Sequence, residues 1–207
     1  MTKNPSTDFT IKSRVSGQER QARAGHRGGV LWFTGLSGAG KSTLAIELER
    51  QLFAKGYSVY VLDGDNLRTG LNADLGFSHT DRTENIRRVG ELAALFADAG
   101  TIAISAFISP YCADRDQARE AAGDAFNEVY VKADVEACEG RDPKGLYRRA
   151  RKGEIPDFTG VSAPYEVPES PDFVVDTVTD DISTCVENLV RYVKAAYGAD
   201  ESDKGPN

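Results

Sequence analysis

Cysteine is scarce in this sequence, and its three residues, Cys112, Cys138 and Cys185, stand far apart. An odd, widely spaced set supports neither a disulfide framework nor a zinc site, which leaves free, half-buried thiols in a reducing cytoplasm. Histidine is scarcer still. His26 and His79 are distant from each other and from the cysteines, so both read as ordinary surface or loop residues and not as metal ligands. No apolar run approaches the ~18 residues needed to cross a bilayer, and Met1 to Gly29 lacks the apolar stretch of a secretion signal. No membrane partner is expected. Positive charge is not in excess either. A net charge of −7 argues against broad nucleic-acid binding, so any basic function has to be local. A chain of 207 residues still suffices for one continuous core, with room for an inserted lid.

What is present is sharper. Residues 35 to 42 read Gly-Leu-Ser-Gly-Ala-Gly-Lys-Ser and fit the pattern G-x-x-x-x-G-K-[ST]. Gly35, Gly38 and Gly40 let the backbone turn tightly and aim N–H groups inward at phosphate oxygens, with Leu36, Ser37 and Ala39 completing the loop. Lys41 can reach the β- and γ-phosphates, the Ser42 hydroxyl can ligate magnesium, and Thr43 opens a helix whose positive end adds to the cradle. The apolar run Val30 to Thr34 precedes the motif, and Leu44, Leu48 and Leu52 follow at helical spacing. A strand, a glycine loop and a helix in that order mark a nucleotide site, with ATP as the expected cosubstrate and Mg2+ as its ion.

Strand patterns over 30–34, 58–62, 101–107, 126–131 and 173–175 alternate with helical ones over 43–55, 82–99, 113–122 and 181–197. The alternation predicts an α/β fold, the three-layer P-loop NTPase type, with a mostly parallel five-stranded sheet flanked by helices. Residues 1–29 show no period and read as a flexible arm, 30–197 as the catalytic domain, and 198–207 as a disordered tail. A basic lid is placed at about 141–162. Arg141 to Lys152 holds six bases and one acid, a pattern that fits either a solvated helix face or a mobile cover that neutralises a transferring phosphoryl group.

Ligands of such sheets bind beyond the carboxyl ends of the strands, so the residues there are the candidates. The second strand runs into Asp63-Gly64-Asp65-Asn66. A phosphotransferase needs an acid to orient the acceptor hydroxyl and to hold magnesium; Asp63 is the first choice and Asp65 the second. Arg82 and Asn85 fall on the core-facing stripe of their helix with Ile86, Val89 and Ala93. Polar groups there are explained if the helix start overhangs a cleft holding an anionic ligand. Phe77 either stacks on a base or plugs its loop. Ile108-Ser109-Pro110 follows the third strand, placing Ser109 at the same rim, or else forms a plain helix-entry turn with Asp114 and Arg115 solvated.

Taken together, the P-loop block from Trp32 to Thr43, Leu62-Asp63-Gly64-Asp65-Asn66-Leu67-Arg68, Leu71 to Ser78, Asp81 to Arg88, Ala106 to Tyr111, Arg141 to Tyr147 and Phe158-Thr159-Gly160 resemble the adenylyl-sulfate kinase family. The resemblance runs from about Gly25 to Tyr197. It implies transfer of phosphate from ATP to the 3′-hydroxyl of adenosine 5′-phosphosulfate, a step of sulfate assimilation, by a homodimer acting as a stand-alone kinase. It implies further that Asp63 meets magnesium or the acceptor hydroxyl, that Arg68, Arg82 and Asn85 hold the phosphosulfate, that Phe77 and Phe158 sandwich the acceptor adenine, and that Lys144 approaches from the lid. Ile108 and Ser109 match the family's substrate rim, where the serine is assigned a phosphoserine intermediate; direct in-line transfer is chemically more natural, because the acceptor is itself a nucleophile. Two positions depart from the pattern. Cys112 stands where the family usually has Arg, which puts an anion contact there in doubt, and Ala39 replaces a frequent Ser. A kinase for another small hydroxyl acceptor, or a nucleotide-binding switch, is the competing reading. The aromatic pair argues against the first, and the lack of an Asn-Lys-x-Asp motif against the second.

Overall fold

A computed structural model of the chain describes residues 13–198. Five strands, β1 (Gly29–Thr34), β2 (Val59–Asp63), β3 (Ile102–Ala106), β4 (Phe126–Lys132) and β5 (Phe173–Asp176), form one sheet in the order β2-β3-β1-β4-β5. Every neighbouring pair is parallel. The fold is therefore the expected α/β arrangement, and the sheet is wholly rather than mostly parallel.

β1 sits at the centre because its whole length, Gly-Val-Leu-Trp-Phe-Thr, is buried. Its side chains alternate between two cores, as a strand covered on both faces requires. Leu31 and Phe33 pack with Leu44, Leu48 and Leu52 of α2 (Lys41–Ala54) and with Val186, Leu189 and Val193 of α8 (Ile182–Tyr197). Val30 and Trp32 face the other way, against Ile86, Val89 and Ala93 of α4 (His79–Asp98) and Ala118 of α5 (Cys112–Ala122). The helical spacing of these apolar residues decides which face each helix buries. Among the described residues after β2 lie three further short helices, α3 (Gly64–Arg68), α6 (Val135–Arg141) and α7 (Leu146–Arg151).

The start of the chain differs from the sequence expectation. Within the stretch read as a flexible arm lies α1 (Gly17–Ala24), closed at its N-terminus by a capping box between Ser16 and Glu19 and at its C-terminus by Gly25 in the left-handed region (φ +73°). His26, expected at the surface, is buried: its Nδ1 meets Arg27 O at 2.9 Å and its Nε2 accepts from Ser58 N at 2.9 Å. Arg27 N donates to Tyr197 O, which ties this segment to the end of α8. The lone capping box, Ser-x-x-Glu, was the readable signal. Residues 1–12 of the proposed arm and 199–207 of the proposed tail lie outside the described residues. Cys138 and Cys185 are fully rather than half buried, and Cys112 is partly exposed.

Candidate active site

The loop between β1 and α2 spends all of its carbonyls on the protein. Lys41 Nζ donates to Gly35 O (2.9 Å) and Leu36 O (2.8 Å). Tyr147 OH donates to Ser37 O (3.0 Å), Arg141 Nη1 to Gly38 O (3.3 Å) and Thr177 Oγ1 to Ala39 O (2.9 Å). Gly40 O accepts the first α2 bond, from Leu44 N at 2.9 Å. Gly35 N and Ala39 N donate to Ile108 O and Leu36 O, while the N–H groups of Gly38 and Gly40 have no acceptor among the described residues. That is an anion cradle, extended by the unpaired N–H groups of the first turn of α2. Gly38 has φ +80°, and a Cβ there would stand 2.9 Å from Cys138 O, so only glycine lets α6 close on the loop.

Lys41 is 8% exposed. Burial lowers its pKa from 10.5 to about 8, partly offset by Cys138 and Asp63 and reinforced by Lys144. A cation so desolvated gains strongly from a phosphate at hand. Tyr147, whose ionisation burial also disfavours, acts only as a neutral hydrogen-bond donor to the loop.

Asp63 ends β2 and caps α3. Its Oδ1 accepts from Asp65 N at 3.0 Å and its Oδ2 from Ser42 Oγ at 2.8 Å. A hydroxyl and a carboxylate oxygen side by side are hard donors of the kind Mg2+ takes when substrate phosphates and water complete its shell. Among the described residues no cluster of three or more His, Cys, Asp or Glu could hold a metal unaided. Asp65 is not beside Ser42; it forms an ion pair with Lys144 of the basic segment, both side chains exposed.

Beyond α3 lies a second cationic group. The Arg68 guanidinium sits 4.4 Å from the centre of the exposed Phe77 ring and donates to Leu75 O and Gly76 O. Burial first, and then nearby Arg82, lower the Arg68 pKa; two cations held this close favour an anion between them. Arg82 spans the loop tips: Nε donates to Phe77 O (2.9 Å), Nη2 to Asp157 O (2.9 Å) and Nη1 to Thr159 Oγ1 (3.4 Å). It thereby joins the segments that carry Phe77 and Phe158. The two rings are unlike. Phe77 is 69% exposed, whereas Phe158 is 8% exposed, edge-on to Tyr147 at 5.0 Å. Asn85 is buried and its Oδ1 accepts from Asn72 Nδ2 at 3.0 Å.

Ser109 is 2% exposed with φ +38°, an uncommon conformation for a residue with a side chain. Its Oγ accepts from Trp32 Nε1 at 3.1 Å, and its carbonyl accepts from Arg115 Nη1 at 2.8 Å. Arg115 and Asp114, solvated in the alternative reading of this turn, are both buried. Arg115 also meets Glu128 at 2.6 Å, a charge contact rather than an aligned hydrogen bond. Ile108 offers its carbonyl to Thr34 Oγ1 at 2.8 Å. The basic segment is rooted rather than free. Tyr147, Ala150 and Phe158 belong to the core around α2, while Lys144, Arg148 and Arg149 face outward. Roles for Trp32, Asn72, Arg115, Tyr147 and Thr177 were not assigned from the sequence, since each acts through a contact made far along the chain.

A central parallel strand feeding a P-loop, an acid at the tip of the next strand but one, and a separate cationic-aromatic rim define a P-loop phosphotransferase with a second binding place. Comparison with known proteins makes this specific. The family model described as adenylylsulphate kinase matches residues 27–176. The adenylyl-sulfate kinase of Clostridium acetobutylicum is 55% identical over 183 residues, covering 88% of this chain and 92% of that protein. That of Staphylococcus epidermidis is 56% identical with the same coverage. The solved structure of the Mycobacterium tuberculosis APS kinase CysC in complex with AMPPNP and APS is 48% identical and superposes with a TM-score of 0.78, over 81% of this chain and 98% of that one. The chain belongs to the adenylylsulphate kinase family.

Proposed function

We propose that this enzyme transfers the γ-phosphoryl group of ATP to the 3′-hydroxyl of adenosine 5′-phosphosulfate, forming 3′-phosphoadenosine 5′-phosphosulfate and ADP for sulfate assimilation. The carrying observation is that Asp63 belongs to both halves of the site. One oxygen meets Ser42 of the P-loop at 2.8 Å, and the other caps α3, whose last residue, Arg68, stacks on Phe77.

In this reading the loop from Gly35 to Ser42, with Lys41 and Thr43, binds the ATP phosphates. Ser42 and Asp63 hold Mg2+, which when bound supplies charge neutralisation at the phosphates. Asp63 also orients the acceptor hydroxyl. Arg68, Arg82 and Asn85 face the phosphosulfate, Phe77 stacks on the acceptor adenine with Phe158 backing it, and Ile108 and Ser109 line the rim. Lys144 leaves Asp65 to meet phosphate as substrate enters. Transfer is direct. Ser109 Oγ sits beside Trp32 Nε1, a group that only donates and cannot take the serine proton.

The deciding measurement is ADP release with MgATP against a panel of hydroxyl acceptors. Selective turnover of adenylyl sulfate is expected; equal or better use of a sugar acid or a shikimate-like acceptor overturns the assignment. Exposed Phe53 and Tyr60, which line one shallow surface groove with Phe96, support a homodimer, which a monomeric mass in sedimentation equilibrium would refute. The three free thiols support a cytoplasmic location, which cell fractionation tests.

A further inference from the structure

An amide side chain has an accepting and a donating end of nearly the same shape, so Asn85 in the sequence does not say which end meets the substrate. A half-turn about its last bond exchanges them. The structure decides the matter through Asn72. This residue lies in the loop between α3 and α4 and is fully buried, and its Nδ2 donates to Asn85 Oδ1 at 3.0 Å. With the oxygen engaged inward, the Asn85 nitrogen has no partner among the described residues and is not sealed from solvent. It is left free for the cleft. Asn72 Oδ1 is itself buried without a hydrogen bond. Reversing both amides would put the two N–H bonds of Asn72 in that dry place, so the observed polarity is the less costly one.

We propose that Asn72 is a positioning residue: it fixes the Asn85 amide with its N–H donors toward the phosphosulfate, and so sets affinity for the anionic acceptor. This rests on the reading of Asn85 given above. The loop has anchors besides Asn72. Arg88 holds Leu71 O at 3.3 Å and Asp74 Oδ1 at 2.7 Å, and Arg68 holds Gly76 O at 2.8 Å.

The test compares Asn72→Asp with Asn72→Ala, measuring KM for adenylyl sulfate and for ATP. Asp is isosteric, and above its pKa, which burial raises, it only accepts; measured at alkaline pH, it draws in the Asn85 nitrogen and turns the carbonyl to the anion. The Asp variant should raise the acceptor KM by about 10- to 100-fold, the worth of a hydrogen bond to a charged group, with the ATP KM unchanged. The Ala variant frees the amide without inverting it and should lose less. A purely structural role raises both KM values together, because a cavity or a buried charge disturbs the loop as a whole; Ala equal to or worse than Asp in the acceptor KM, or a parallel rise in the ATP KM, overturns the proposal. Lowering the pH should narrow the Asp defect, since a protonated carboxyl can again donate to Asn85. If the Asp variant does not fold, Asn72→Ala is measured in an Asn85→Ala background. There it should add nothing to the acceptor KM, and an additive effect refutes the coupling. Wild-type enzyme that turns over adenylyl sulfate while these outcomes fail would sink this inference alone. Wild-type enzyme that ignores adenylyl sulfate would sink the underlying function.

Discussion

Ser42 and Asp63 stand 21 positions apart in sequence, one at the start of α2 and the other at the tip of β2, and their side chains meet at 2.8 Å. The contact exists because β2 and β1 both pair with β3, which brings their carboxyl ends to one edge of the sheet. In the proposed reading it joins the group that grips the donor to the group that orients the acceptor.

If Asp63 does both, Asp63→Asn should keep the fold and nucleotide binding while lowering kcat by at least about 100-fold, the scale of acid–base and metal-orienting contributions. The remaining activity should need more Mg2+ for half-maximal rate. A kcat within about threefold of wild type would show that this carboxylate is only the cap of α3.

The proposed direct transfer would make Ser109 dispensable as a nucleophile. Ser109→Ala should retain turnover within about tenfold, because it loses a positioning contact and not a covalent intermediate. Incubation of wild type with labelled ATP alone should leave no label on the protein. Stoichiometric labelling at Ser109, or a loss of several orders of magnitude, would reinstate the phosphoserine route.

Lys41 makes folding stability depend on pH in a definite direction. Its pKa falls on folding from 10.5 to about 8, so between those values the unfolded chain binds more protons and stability rises with pH. The stability of wild type relative to Lys41→Met should be flat below pH 8, should rise by up to about 3 kcal/mol between pH 8 and 10.5, and should level off above. Denaturant titrations of both proteins across that range read it; a difference constant with pH means that Lys41 is not desolvated. The same variant should lose turnover by orders of magnitude.

The sequence by itself determined the local chemistry. Glycine spacing with Lys41 and Ser42, strand and helix periods, and an acid at a strand end are encoded within a few residues of one another, and the structure places them as read. It also held the capping box of α1, a local signal hidden in a stretch without hydrophobic period. What only the tertiary structure decided is how those groups are aimed. Tyr147, Arg141 and Thr177 turn the P-loop carbonyls outward from 110, 103 and 138 positions away, and Trp32 fixes Ser109 across 77. Phe77 and Phe158 look alike in sequence, yet one lies open under Arg68 and the other is packed beneath Tyr147. Composition and period report which residues are polar or apolar and roughly which face they share. The direction of a hydrogen bond, and so which end of Asn85 is left without a protein partner, depends on a residue that arrives only when separate segments pack.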